Sequence, residues 1–169
     1  MQILASLSKE NVFAQVSKFL AEKNIAVASI DAERPWGGFI VINEDDAEIF
    51  IAAFFAHLTK AVLNISGKLS PKILIVAPQK RLSWQYHHRR AEIWKLLAGE
   101  AAVMVSDTDE ESEIIHLQKG DIIELKKGER HRLIGEDNWG ILAEIWRHTD
   151  AAHPSDEDDI VRVQDDFGR

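Results

Sequence analysis

A mainly β chain, a sandwich or barrel with helical segments on its N-terminal side, is predicted by three features of the sequence. From residue 71 onward, short runs of β-branched and aromatic residues recur at close spacing. Turn signals such as Ala98-Gly99, Lys119-Gly120 and Lys127-Gly128 separate those runs. Before residue 59, two stretches instead carry apolar residues at helical spacing.

The elements follow in order. Ser8 is a suitable N-cap for a helix carrying Val12, Phe13, Val16, Phe19 and Leu20, ending near Asn24. Glu33-Arg34-Pro35-Trp36-Gly37-Gly38 is a turn signal leading into a strand over 39–42. Residues 45–58 read as a second helix, with an acidic first turn and Ile49, Phe50, Ala53 and Phe54 on one side. Nine strands are then expected, over 72–77, 81–87, 91–97, 101–106, 112–117, 121–125, 131–134, 139–147 and 160–164. The acidic runs 107–113 and 156–159 read as a hairpin tip and a solvated loop. No internal repeat appears.

Composition narrows the function. With 169 residues, 46% hydrophobic and 28% charged, the chain has the profile of one globular domain with a core. There is no cysteine, so disulfides and thiolate metal sites are excluded, and a transition metal would need His, carboxylate or amide ligands. A formal charge of −8 with no basic stripe argues against nucleic acid as partner, although a locally basic pocket for a small anion stays open. The start MQILASLSKENV is unlike a signal peptide, and the most apolar window, 49–58, falls short of the roughly 20 residues of a membrane span. A cytoplasmic protein without membrane contact is expected.

The stretch RLSWQYHHRRAEIW carries the chemistry. On an extended strand Arg81, Ser83, Gln85 and His87 share one face, and Leu82, Trp84, Tyr86 and His88 the other. Alone, this would be a surface strand with its polar side to water. Glu92 and Gly99 follow, and further on Gly120, Gly128 and His131. The spacing Gln85-x-His87-x4-Glu92-x6-Gly99, then Gly120-x7-Gly128-x2-His131, resembles the two-part motif of the cupin superfamily. That resemblance implies a small cupin-type β-barrel (double-stranded β-helix or jelly roll) in which Gln85, His87, Glu92 and His131 hold one metal. Gln85 stands at the family's first histidine position. The alternative is a metal-free cupin whose histidines are merely hydrogen-bonded. His88, facing away, reads as packing or interface; His57, His116, His148 and His153 read as surface or loop.

A narrower resemblance rests on Arg34-Pro-Trp-Gly37, Arg81-Leu-Ser83, Gln85-Tyr-His-His88, Arg90-Ala-Glu92 with Trp94, His131-Arg132, and the tail Glu157-Asp-Asp-Ile-Val-Arg162…Asp165-Asp-Phe-Gly-Arg169. These look like the type II mannose-6-phosphate isomerase domain, whose short stand-alone forms are also labelled phosphoheptose isomerases. The likeness is close over 71–169, reaches back to the Arg-Pro-Trp-Gly turn and does not cover the first 33 residues. It divides the chain into an N-terminal helical extension (1–33) and a cupin domain (34–169) with a helical insertion near 45–58. The nucleotidyltransferase domain often fused to this family has no room in 169 residues. Gln79, Lys126 and Arg89 depart from the family's glycine, proline and middle histidine.

The resemblance implies an aldose–ketose isomerase acting on a sugar phosphate, mannose-6-phosphate to fructose-6-phosphate being the first expectation. Another sugar phosphate, such as a heptose phosphate, is the second, and a non-catalytic sugar- or metabolite-binding cupin the third. A donor set of two imidazoles, a carboxylate and an amide suits a divalent metal, Zn²⁺ first. Glu144 and Lys72, both at family-matched positions, are alternative bases for moving the C2 proton, unless they pair with each other. Arg81, Ser83, Arg132 and Arg162 are the substrate-binding candidates, the arginines because guanidinium suits phosphate. A homodimer is expected, by the family's habit of pairing sheet faces or edges.

Overall fold

Two long strands organise the molecule: β5 (Arg90–Ser106) and β8 (Arg130–His148) pair antiparallel along almost their whole length. The sequence divides each into two strands, at Ala98-Gly99 and near Asn138. The chain instead bends without breaking. Register shifts at Leu96/Ala98 and Gly99/Ala101 insert bulges that curve the sheet rather than end the strand. Gly99 makes this bend possible: its φ is +74°, and a Cβ there would lie 1.6 Å from the Trp139 carbonyl oxygen.

The computed structural model describes residues 4–63 and 67–169, so the first three residues of the N-terminal extension lie outside it. The remaining elements are α1 (Lys9–Ala21), β1 (Val27–Asp31), β2 (Gly37–Ile42), a 3-10 turn (Glu44–Asp46), α2 (Ala47–Phe54), α3 (Lys60–Leu63), β3 (Lys72–Val76), β4 (Trp84–Tyr86), β6 (Ile115–Leu117), β7 (Ile122–Leu125) and β9 (Val161–Gln164). The strands form one antiparallel sheet in the order β1-β2-β3-β8-β4-β9, with β5 pairing β6, β7 and β8. It is the cupin-type barrel that the family resemblance implies.

Alternation along the central strands separates two cores. In β3, Ile73 and Ile75 face an outer cluster shared with α1 and α2, whereas Leu74 and Val76 join Trp94, Leu96, Leu133 and Leu142 inside the barrel. Both faces are covered, which is why β3 is buried throughout and reads as a continuous apolar run. Helix α1 docks through Val12, Phe13, Val16 and Leu20. Four such side chains at about 1.5–3 kcal/mol each outweigh the marginal stability of an isolated helix this short. Ser8 caps it, its Oγ accepting from Asn11 N at 3.3 Å.

Helix α2 is shorter than its sequence pattern, and its buried face is Ala47, Phe50, Ile51 and Phe54; Ile49 is 43% exposed. Strand β1 has no counterpart in the sequence reading. Four of its five residues are exposed, so it lacks the apolar alternation that marks a strand. Gln79, where the family has glycine, adopts a left-handed φ of +58°, and its side chain is tied to the Glu136 carbonyl and Asp137.

Candidate metal centre and the cavity beside it

Strand pairing assembles the cluster from distant segments. β4 and β8 place Gln85 opposite His131, and β5 and β8 place Glu92 opposite Trp146 and Trp94 opposite Glu144. His87, Glu92 and His131 are each at most 2% exposed, and their candidate ligand atoms lie within 4.8 Å of one another. His87 Nε2 is 3.1 Å from Glu92 Oε1, and His131 Nε2 is 3.5 Å from Glu92 Oε2.

The protonation pattern explains what these atoms require. His87 Nδ1 donates to the Asp159 carbonyl at 2.6 Å, and His131 Nδ1 donates to the Glu129 carbonyl at 3.0 Å, because a carbonyl can only accept. Each Nε2 is therefore left as a lone pair aimed at the same carboxylate. Burial pushes His131 down to about 4, against the pull of Glu92, which keeps that imidazole neutral. Burial would raise the Glu92 carboxyl, but the positive charge packed against it, the Arg90 guanidinium at 2.7 Å above all, holds it well below the usual carboxylate range. Glu92 Oε2 and His131 Nε2 have no hydrogen-bond partner. Acceptors facing acceptors in a dry site call for a cation between them, so this donor set fits a metal ion.

One cation of the chain already reaches the cluster. Arg90 donates through Nε to Glu92 Oε1 at 2.7 Å and through Nη2 to His87 Nε2 at 3.2 Å, while Nη1 binds Ser155 Oγ and the carbonyls of Asp156 and Asp159. Its guanidinium lies 3.7 Å from the Trp146 ring centroid. In the acidic run read as a solvated loop, Asp156, Glu157 and Asp158 are exposed as expected, but Asp159 and the preceding Ser155 are buried and clip the loop to the cluster. Asp159, 5% exposed, accepts from the backbone N–H groups of His88 and Arg89 and from Ser155 Oγ. His148, read as surface, is likewise buried at 1%: its Nδ1 accepts from Ser155 N, and Nε2 faces Ser70 Oγ at 3.3 Å. Burial pushes its pKa down to about 4. Neither placement has a local signal; both depend on the tail folding back over β5. His57, His116 and His153 are exposed, as expected.

Beside the cluster opens a cavity of about 360 Å³. Gln85, Glu92 and Arg90 form part of its wall, with Glu144 and Lys72 nearby. His87 and His131 are not in the lining; they flank the two oxygens of Glu92. Glu144 is 4% exposed and accepts from Trp94 Nε1 at 3.0 Å. Burial first, and the charge of Glu92 second, raise its pKa to about 8. Lys72 pairs with Glu157 rather than Glu144, and its ammonium sits 3.6 Å from the Trp146 centroid.

The substrate-binding candidates separate. Ser83 and Arg162 line the cavity, and Ser83 Oγ donates to Gln85 Oε1 at 2.5 Å. Arg81 and Arg132 do not line it. Arg81 forms a two-pronged pair with Asp166, and Arg132, fully buried, pairs with Glu111 on the 107–113 segment. The strict alternation fails here because only 84–86 are strand, so Leu82 turns inward beside Ser83. Trp84 is capped by that same acidic segment through the Asp109 carbonyl, 2.8 Å from Nε1. Arg34 and Arg169, not among the candidates, do line the cavity, as do Trp94 and Trp146.

Residues 43–165 match the family described as mannose-6-phosphate isomerase, C-terminal, and the chain belongs to that family. It is 32% identical over 107 residues to the xanthan biosynthesis protein XanB of Xanthomonas campestris pv. campestris (strain B100), covering 63% of this chain and 21% of that protein. The mannose-1-phosphate guanylyltransferase ManC of Salmonella typhimurium (strain LT2) is 33% identical over 107 residues, with the same coverage. The chain therefore spans about a fifth of the length of these relatives. Among solved structures, the capsular polysaccharide assembling protein CapF of Staphylococcus aureus superposes with a TM-score of 0.53 at 12% identity, over 83% of this chain and 34% of that one. A point mutant of the Bacillus subtilis oxalate decarboxylase OxdC gives 0.54 at 16% identity, over 79% and 30%. Both likenesses concern the fold alone. Among the described residues no helix is long and apolar enough to cross a membrane.

Proposed function

We propose that this protein is a metal-dependent aldose–ketose isomerase of sugar phosphates, with mannose-6-phosphate and fructose-6-phosphate as its first substrate pair. The observation that carries this reading is that Glu92, centre of the metal-ligand cluster, and Glu144, a carboxyl with a pKa of about 8, line one cavity. Membership of the mannose-6-phosphate isomerase C-terminal family supports it. His87, Glu92 and His131, with the Gln85 amide oxygen, would hold a divalent ion, zinc first, which would supply Lewis acidity when bound. Glu144 takes the C2 proton and returns it at C1, while the hydroxyl proton of O2 passes to O1. Lys72, engaged by Glu157, holds positive charge over Trp146 rather than acting as base. Trp36, Trp94 and Trp146 give the cavity its dry wall.

A second reading, a non-catalytic binder of sugar phosphates, draws on Arg90. Its guanidinium already gives His87 and Glu92 a positive partner, as a metal-free cluster would need.

Conversion of mannose-6-phosphate is measured on metal-stripped protein before and after adding zinc. Turnover that needs zinc, and that falls about 100-fold or more in Glu144→Gln, is expected. Turnover of a heptose phosphate alone would keep the reaction and change the substrate. Zinc bound stoichiometrically without turnover of either sugar would overturn the isomerase, and failure to bind zinc would favour the binder.

A further inference from the structure

The cavity wall is more cationic than the molecule around it. On a chain of formal charge −8 it gathers Arg34, Lys72, Arg90, Arg162 and Arg169, against the carboxyls of Glu92, Glu144, Glu157 and Asp158. Lys72 is neutralised by Glu157, and Arg90 by Glu92. That leaves three arginines, brought together from the first turn, from β9 and from the tail.

Two of the three are held in place. Arg34 Nε donates to Asp31 Oδ2 at 2.8 Å, and the Arg34 carbonyl accepts from Lys9 Nζ at 2.9 Å. Arg169 is gripped by Asp165, through Nε at 3.0 Å and Nη2 at 2.7 Å, after Gly168 turns the chain with a φ of +68°. The third differs: among the described residues Arg162 has neither an ion pair nor a hydrogen-bond partner for its guanidinium. Burial, and the like charges of Arg169 and Arg34, depress its pKa, so the three sit close enough to repel one another. Of the three, Arg162 alone brings a guanidinium to the cavity wall with no carboxylate paired to it among the described residues, between two arginines already held by their own aspartates, and such a charge is one that an anion relieves.

We propose that Arg34, Arg162 and Arg169 form the subsite for the phosphate monoester of the substrate, with Arg162 the residue that closes on it. The proposal rests on the sugar-phosphate reading above and says which end of the cavity receives the phosphate. Guanidinium forks match phosphate oxygens in pairs, and Asp31 and Asp165 keep two of the forks oriented before the ligand arrives. Phe39, beneath Arg34 at 5.5 Å from ring centroid to Cζ, gives that side chain a further fixed surface. The sugar would then extend from this end toward Glu144 and Glu92.

The test is calorimetric titration of metal-stripped protein with inorganic phosphate, mannose-6-phosphate and mannose. Phosphate and mannose-6-phosphate are expected to bind and mannose not to. Arg162→Met should weaken phosphate at least tenfold, Arg34→Met less, and Lys18→Met, far out on α1, not at all. Arg162→Lys should restore part of the loss, with circular dichroism unchanged throughout. Phosphate affinity indifferent to both Arg162→Met and Arg34→Met, or no phosphate binding by folded wild-type protein, would overturn the subsite. Phosphate binding lost in Arg162→Met while zinc-loaded protein turns over no sugar phosphate would keep the subsite and remove the isomerase. Unchanged KM for mannose-6-phosphate in Arg162→Met would do the reverse.

Discussion

The two ends of one cavity are built by opposite means. At the Glu92 end, ionisable groups are almost fully buried, and desolvation sets their behaviour: His131 is pushed down to about 4, Glu144 up to about 8. At the arginine end, Arg34 has a side chain 36% exposed and Arg162 is exposed. Full burial shifts carboxyl and imidazole pKa values strongly, whereas partly exposed guanidinium groups stay solvated. A chain of net charge −8 can therefore gather arginines at one end of a cavity whose other end is lined by buried carboxyls.

The largest effect should come from unbalancing the buried end. Glu92→Gln leaves the Arg90 guanidinium, 5% exposed, without its carboxylate. Removing one member of a buried ion pair typically costs about 3–5 kcal/mol, because the surviving charge stays desolvated. Urea denaturation of metal-free protein should show a loss of that size, together with loss of zinc retention. A variant as stable as the wild type would mean that Arg90 is held by the 155–159 clip alone.

A somewhat smaller effect is expected from acid. His148 is buried and neutral, with a pKa near 4 in the folded chain against 6.5 for the free side chain. Its contribution is fully present above 6.5 and is lost as pH falls from 6.5 toward 4, because the unfolded chain takes up the proton first. A depression of that extent corresponds to up to about 3 kcal/mol. His131 adds to the same slope in metal-free protein, so the difference between wild type and His148→Asn isolates the His148 share. Asn can still accept from Ser155 N. The variant should show a flatter stability profile between pH 4 and 6.5; identical profiles would remove His148 as the origin.

The same contrast explains what is legible in the sequence. The cluster of His87, Glu92 and His131 is readable because those residues stand at the spacing of the cupin motif, and the pairing of β4 with β8 brings the distant half of that motif alongside the first. The barrel is readable from short apolar runs and turns. Residues whose role depends on the tail crossing β5 are not. Ser155, Asp159 and His148 look solvated until the loop closes over Arg90. Arg34 and Arg169 share a wall with Arg162 although 128 and 7 residues separate them from it, a relation no local period encodes. Dividing β5 and β8 into pairs of strands fails because Gly99 marks a bend rather than an end.

The smallest effect should sharpen the boundary of the arginine end. Asp166 grips Arg81 at 2.6 and 3.0 Å, with side chains 42% and 38% exposed, and neither residue lines the cavity. An exposed pair of this kind contributes at most about 1 kcal/mol, so Asp166→Asn should change unfolding stability by no more than that. Phosphate affinity measured by titration should stay within about twofold of wild type, a free-energy difference of roughly 0.4 kcal/mol. A larger gain would mean that Arg81, once released, swings into the cavity as the strand alternation suggests. In that case Asp166 restrains a fourth phosphate-binding arginine, and the entrance extends across β4.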